Sequence, residues 1–316
     1  MSSAAPDLGA AVQRSWLRFL DVYEPLRPDL YRYCRHLTRS PWDAEDMAQD
    51  TLARAYVTLG CLSEPPPNPR AWLFRVASNL WLNRLRQARE TLLGDGFGPE
   101  PAAGQELRAP REAAGTLLAQ LSPQERAAVV LKDVFELSLA EVAEALSTST
   151  GAIKAALHRG RSKLTDPEQA EPEPVAPAVL DAFCEAFNAR DLDRLIELML
   201  ESSTLEFPGV LVEYGADALR AGSLHHTLFG CPDGQYVVAV PPRAELRVHR
   251  GQYVLLWWLG DRVDAVVRAE VEGEHIARLK NYRHAPELTR EVCAELGVPF
   301  SSHGYRPTRG AANENQ

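Results

Sequence analysis

Between Ser40 and Leu59 the apolar positions Ala44, Met47, Ala48, Leu52, Ala55, Tyr56 and Leu59 return every three or four residues, which predicts an amphipathic helix with one buried face. Ser40 stands where a cap is needed, Pro41 at the first helical position, and Asp43 completes a capping-box-like pattern. After the break SEPPPNP a second helix is predicted over NPRAWLFRVASNLWLNRLRQARE, capped by Asn68 and begun by Pro69, with Trp72, Leu73, Val76, Ala77 and Leu80 turned inward. Further on, SLAEVAEALSTSTGAIKAALHRGRSKL reads as two short helices joined by a sharp turn. Ser138 and Glu141 form a capping box; Val142 and Leu146 on the first helix, with Ile153 and Ala156 on the second, have the spacing that buries crossing helices against each other.

Past residue 176 the period changes. PAVLDAFCEAFNARDLDRLIELM is still helical, with Phe183, Phe187, Leu192, Leu195 and Leu198 on one side, but strands follow: YVVAVPP, AELRVHR, QYVLLWWL, RVDAVVRAEVE and EHIARLKNY. Val263, Ala265, Val267, Ala269 and Val271 alternate with Asp264, Arg268, Glu270 and Glu272, a period of two. YVLLWWL is apolar at every position, so it is expected to be a central strand covered on both faces.

Two stretches break all periodicity. GDGFGPEPAAGQELRA has linker composition, and DPEQAEPEPVAP, with its prolines and acids, an extended self-repelling spacer. The expected organisation is therefore a helical block at 10–93, a linker at 94–109, a second helical block at 110–165, an acidic linker at 166–177, an α+β block at 178–305, and a disordered tail at 306–316.

Charge sharpens this division. The chain has formal net charge −9, yet residues 1–165 hold 20 Lys and Arg against 19 Asp and Glu, while residues 166–316 hold 14 against 24. The helical half is neutral and the acidity belongs to the remainder. The opening MSSAAPDLGA has neither a basic start nor an apolar stretch, so no signal peptide is expected, and no apolar run reaches membrane-span length. Five scattered cysteines give no CxxC pair, neither a disulfide framework nor a zinc site, and a reducing cytoplasm is the natural compartment.

The polar faces carry the candidate chemistry. Asp43, Asp46 and Asp50 make an acidic stripe on the Ser40–Leu59 helix, which by composition alone reads as a solvated face. Arg75, Asn79, Asn83 and Arg86 line the outer side of the next helix, with Arg70, Arg84 and Arg89 nearby, a surface suited to a phosphate backbone with exposed bases. In the two-helix segment, Ser149, Thr150, Gly151 and Lys154 stand at the start of the second helix, where a helix-turn-helix meets base edges. His158 lies one turn on, and Arg159, Arg161 and Lys163 suit phosphates.

In this order, the blocks resemble the extracytoplasmic-function (group IV) sigma factors of RNA polymerase. DAEDMAQDTLARAY is similar to the region 2 helix that docks on the β′ clamp of core polymerase, PRAWLFRVASNLWLNRLRQ to the segment that melts and reads the −10 element, and LSPQERAAVVLKDVFELSLAEVAEALSTSTGAIKAALHRGRSKL to region 4, which reads −35 and touches the β flap. The resemblance implies polymerase contacts at Asp43, Asp46, Gln49 and Asp50, and a function in directing core polymerase to a subset of promoters. It departs from the family at Ser147 and Thr148, where the turn usually has glycine and an apolar residue, and at Ala156, a position often basic.

The last block resembles the SnoaL-like, ketosteroid-isomerase-type α+β cone, which several such sigma factors carry C-terminally. Tyr214, His225, Trp257 and Tyr282 are candidates to line a pocket, with Asp217, His226 and Asp264 as further titratable groups. Asp264 belongs to the outward set of its strand unless the sheet is covered there, and the adjacent His225 and His226 are poorly placed to share a metal. The preferred reading is a protein-contacting regulatory domain that modulates the sigma half in cis, with a small-molecule ligand as the alternative. No catalytic residue, cofactor or metal is assigned. Against the whole stand two other readings: a helix-turn-helix regulator with a ligand-binding domain, and an isomerase or cyclase with a helical adaptor.

Overall fold

The computed structural model describes residues 8–62, 64–93, 121–162, 177–231 and 238–306. The expected linker at 94–109, that at 166–177 except Pro177, the start of the second block at 110–120 and the expected tail at 306–316 except Arg306 lie outside the described residues. The chain divides into two compact units, 1–169 and 170–316, and each is described by itself.

Every regular element among the described residues of the first unit is a helix. Helices α1 (Leu8–Tyr23), α2 (Arg27–Thr38), α3 (Pro41–Leu59) and α4 (Pro69–Leu93) form its first block. Ser40 Oγ accepts from the Asp43 amide at 3.3 Å and Pro41 opens α3, so that boundary is set by local chemistry. Asn68 Oδ1 likewise accepts from the Ala71 amide at the start of α4. Leu30, Leu37, Met47, Leu52 and Leu73 are fully buried between these helices, each contributing roughly 1.5–3 kcal/mol of transfer free energy. Two polar contacts are enclosed with them: an Arg27–Glu45 ion pair joining α2 to α3, and Tyr33 Oη to Ser78 Oγ at 2.7 Å joining α2 to α4.

The second block is α5 (Pro123–Val129), a π-helical turn (Val130–Val134), α6 (Leu139–Ala145) and α7 (Thr150–Ser162). Both α5 and α6 begin in full capping boxes, Ser122 with Glu125 and Ser138 with Glu141. Val142, Ile153 and Ala156 are buried as the spacing predicts. Gly160 lies where α7 crosses α5: a Cβ there would meet Val129 Cγ2 at 2.9 Å, so glycine permits the close approach.

The second unit is α+β. Helices α8 (Ala178–Ala189) and α9 (Leu192–Glu197) precede β1 (Met199–Phe207) and β2 (Leu211–Tyr214); α10 (Ala216–Ala221) and α11 (Ser223–Phe229) follow. Then come β3 (Arg243–His249), β4 (Gln252–Leu259), β5 (Arg262–Glu272), β6 (His275–Asn281) and α12 (Pro286–Glu295). The six strands form one open sheet in the order β2-β1-β6-β5-β4-β3. Its pairs are antiparallel except β1 with β6, a departure from the wholly antiparallel sheet expected.

Strand reading from the sequence succeeds where alternation or unbroken apolarity runs long. AELRVHR, QYVLLWWL, RVDAVVRAEVE and EHIARLKNY all become strands. YVVAVPP does not: residues 238–242 are irregular, with Pro241 and Pro242 unable to donate to a ladder, and Tyr236 and Val237 lie outside the described residues. Both β1 and β2 escape the reading because MLESSTLEF has no clean alternation. QYVLLWWL lies second from the edge rather than centrally, yet Val254 to Trp258 are all buried. Arg250 and Gly251 both take positive φ, the backbone a two-residue hairpin demands.

Candidate nucleic-acid interface

Helix α3 buries Trp42, Ala44, Met47, Ala48, Leu52 and Ala55, and of its acids Glu45 alone is turned inward, onto Arg27. Asp43 and Asp50 are exposed, whereas Asp46 and Gln49 are half-buried. Gln49 Nε2 donates to the buried Glu45 at 2.7 Å, and Asp50 pairs with Arg84 of α4. The stripe is thus one continuous face, with its last acid tied to the neighbouring helix.

Helix α4 seats Trp72, Leu73, Phe74 and Ala77. Val76 and Leu80, expected to point inward, are half-buried, and Phe74 takes the enclosed position instead. Asn79, Asn83 and Arg86 are exposed at steps of four and three, hence on one face. Arg75, one turn earlier, is half-buried, and its Nη1 lies 3.5 Å from Glu144 Oε1 on α6.

Helix α7 rests on α5 and α6 through Ile153, Ala156, Leu157 and Gly160. Ser149 caps it, its Oγ accepting from the Ala152 amide at 3.2 Å, so that hydroxyl is engaged locally. Thr150, Gly151, Lys154 and His158 are exposed; Thr150, Lys154 and His158 follow at steps of four and share a face. Arg159 turns elsewhere. Its Nε donates to Glu125 Oε1 at 2.9 Å, and Glu125 is itself buried and bound by its other oxygen to the Ser122 amide. Arg161 is within α7, but its side chain lies outside the described residues. Ala156, where a basic residue is common in the family pattern, is buried; Ser147 holds φ +50° in the turn, the conformation for which glycine is usual.

The sequence reading had no place for Phe135 or Glu125, both buried beside polar neighbours. A lone Phe in KDVFELS carries no periodic signal, and Glu125 sits in a box whose sequence advertises only capping.

In the second unit the four candidate pocket residues have different surroundings. Trp257 belongs to the apolar cluster with Phe183, Phe187 and Leu205, its ring 4.9 Å from Phe187. Tyr282 is fully buried outside that cluster, Tyr214 is exposed at the end of β2, and His225 on α11 is half-buried with its ring 5.1 Å from Phe229. Asp264 is buried, held by Arg283 at 3.1 Å and His303 at 3.0 Å, so the sheet is covered there by the closing segment. His249 donates to Glu295 at 2.7 Å; burial pushes the imidazole pKa below its ordinary value. Among the described residues no group of three or more His, Cys, Asp and Glu could hold a metal, and no helix is long and apolar enough to cross a membrane.

Residues 22–91 match the family described as Sigma-70 region 2, and residues 111–164 that described as Sigma-70, region 4. An ECF RNA polymerase sigma factor of Mycobacterium tuberculosis, SigL, is 34% identical over 155 residues that make up 47% of this chain and 86% of SigL. The chain belongs to the ECF sigma factors. SigG of M. tuberculosis is 32% identical over 234 residues, 62% of this chain; the match spans 63% of SigG's own length. The crystal structure of M. tuberculosis SigJ aligns over 83% of this sigma factor and 95% of that chain, with 25% identity and a TM-score of 0.31. Helices α2–α4 thus fall within the region 2 match, apart from the last two residues of α4, and α5–α7 within the region 4 match; α1 lies almost wholly before the first.

Proposed function

We propose that this chain is an alternative sigma factor that brings core RNA polymerase to a subset of promoters in the cytoplasm. The acidic face of α3 docks on the β′ clamp, α4 melts and reads the −10 element, and the α6–α7 pair reads −35 and touches the β flap. One observation carries this reading: a single unit presents an acidic helix face over a buried apolar seat, and a recognition helix whose Thr150, Lys154 and His158 stand exposed together over its own seat. Transcription in vitro with core and the full chain over a promoter library tests it, and folded protein that supports no initiation on any template overturns it. A helix-turn-helix regulator, by contrast, binds duplex operator and ignores core.

Asp46→Lys with Asp50→Lys inverts the stripe and is expected to weaken core binding at least about tenfold, although such surface changes usually leave stability within about 0.5 kcal/mol. Because Asp50 pairs with Arg84, the Arg84→Ala chain is the companion. If it reproduces the whole loss, the stripe acts only within the fold.

The C-terminal unit acts by contact with protein rather than by turnover. Its fully buried Phe183, Phe187, Leu205 and Val267 fill the space between helices and sheet with apolar side chains. Removing residues 166–316 is expected to raise binding of the free chain to DNA, since an acidic appendage opposes phosphate. Equal transcription by both chains, at matched core occupancy and across salt concentrations, would make the unit a passenger. A ligand regulates it only by differential affinity for the restrained and released forms.

A further inference from the structure

Beyond α12 the chain runs back over the sheet as a strap whose two halves are fastened by different chemistry. Gly297 takes φ +67° and turns the chain out of the helix. Pro299–Ser301 then pairs with the start of β5 as a short parallel bridge: the Val263 amide donates to the Pro299 carbonyl at 2.9 Å, and the Ser301 amide to the Val263 carbonyl at 2.8 Å. Arg262 adds Nε and Nη2 to the Phe300 carbonyl at 3.0 and 2.6 Å. This half is held by backbone groups and one guanidinium.

The second half, Ser302–Arg306, is fastened through side chains, two of them imidazoles. Trp257 pairs with Ala265 and Trp258 with Val263, which leaves Asp264 as the extra residue of a β-bulge, a feature that re-aims a side chain. Its carboxylate accepts from His303 Nε2 at 3.0 Å and pairs with Arg283 Nη1 at 3.1 Å. His284, on the turn before α12, donates its Nδ1–H to the Gly304 carbonyl at 2.8 Å. Tyr305 Oη donates to Glu287 of α12 at 2.6 Å. The rings of His284 and His303 lie 6.3 Å apart, and Phe207 of β1 stands 6.5 Å from His284.

We propose that this second half is a histidine catch: Ser302–Arg306 lies fastened over Asp264 at neutral pH and is released when His284 takes up a proton, while the Pro299–Ser301 bridge stays in place. The catch stands independently of the sigma-factor reading. Nδ1 carries a hydrogen in both forms of His284, so the incoming proton goes to Nε2 and the bond to Gly304 does not itself oppose it. What opposes it is the added charge. The groups facing His284 are Arg283, His303, Asp264 and the Gly304 carbonyl, and Glu287 is engaged by Tyr305. Burial disfavours the imidazolium most, and Arg283 and His303 act in the same sense. The Gly304 carbonyl and Asp264 pull the other way and are outweighed, so the fastened His284 pKa lies below its ordinary value. Once the strap lifts, the ring is solvated and returns toward about 6.5. A pKa lowered in the fastened form favours that form above the ordinary value, and the preference is lost as pH falls below it. Release uncovers the Asp264–Arg283 pair and gives the C-terminal unit a different surface in acid.

The test uses the full chain with trifluoromethyl-phenylalanine at the exposed position Ser302, read by fluorine NMR between pH 7.5 and 5.5. A fastened strap gives a broad, shifted signal and a released one a narrow signal at the position of the free amino acid. Uptake of one proton moves the balance by at most about tenfold per pH unit. The released share is therefore expected to rise roughly fivefold to tenfold across this range, with the far-ultraviolet circular dichroism unchanged. His284→Asn keeps an amide donor for Gly304 but does not titrate, and its released share should stay within about twofold at both ends. The wild-type titration decides even where that variant is unstable. A wild-type signal that is the same at pH 7.5 and 5.5 overturns the catch. So does a His284→Asn chain that releases as the wild type does, or a release that comes only with loss of the dichroism, which is unfolding of the whole unit.

Discussion

Helices α4 and α7 are both basic, both amphipathic and both assigned to DNA, yet the fold makes them differently available. Helix α7 is short, and its Thr150, Lys154 and His158 are exposed in a row because Ile153, Ala156, Leu157 and Gly160 fix the opposite side. Helix α4 runs for 25 residues, with its early face against the other block and its later face open. Composition alone treats the two runs alike. The difference teaches that a basic residue's role follows from what lies opposite it: Lys154 faces solvent, Arg159 faces Glu125, and Arg75 faces Glu144.

The largest effect should come from unseating α7. Gly160→Leu places a branched side chain where a single Cβ already meets Val129, and overpacking of this kind costs about 1–3 kcal/mol or more. Loss of −35 recognition together with a lowered thermal transition is the expected result; a variant with wild-type stability would show that the close crossing tolerates expansion.

Next, Lys154→Ala should weaken binding by about 1–3 kcal/mol on a matched −35 duplex and far less on a scrambled one, as for a residue that reads a base. Arg159→Ala should instead lower stability by about 1 kcal/mol, since it removes one partner of the buried Glu125 carboxylate, and should weaken both duplexes evenly. Identical losses for the two variants on both duplexes, in titrations at fixed salt, would abolish the contrast between these neighbours.

A smaller gain is expected from Ser147→Gly. Releasing a non-glycine residue from φ +50° should raise stability by about 0.5–1 kcal/mol, measured by denaturant unfolding, with −35 affinity unchanged.

The smallest effect concerns acid. The backbone and side-chain hydrogen bonds of the capping box hold the Glu141 carboxyl pKa below its ordinary value. A lowered folded pKa contributes stability that is present above the unfolded value, near 4.3, and is lost as pH falls through the folded one. Glu141→Gln should therefore flatten the acid limb of the helical unit's unfolding curve, with a slightly lower stability at neutral pH and the two chains converging in acid. An identical slope for both chains would place that acid dependence elsewhere.

Several features were legible because their physics is local. Ser40, Pro41, Ser138 and Glu141 cap helices through groups three residues away, and four strands declared themselves by alternation or unbroken apolarity. What escaped depends on distant partners. The alternation in RVDAVVRAEVE assigns Asp264 to the outer set, but the closing segment brings His303 over that face, and Arg283 completes the pair. MLESSTLEF gives little sign of a strand, yet it pairs with β2 on one side and β6 on the other.

The sequence by itself determined the helices, their caps, the apolar seats of α3 and α7, and the family motifs, because each is written in residues within a few turns of one another. Only the tertiary structure decided which charged groups remain for a partner. Whether Arg75, Arg159 or Asp50 meets solvent or an opposite charge depends on Glu144, Glu125 and Arg84, each more than thirty positions away, and no periodicity within one segment carries that information. Phe135 shows the same dependence: its neighbours Tyr33 and Phe74 come from the other block.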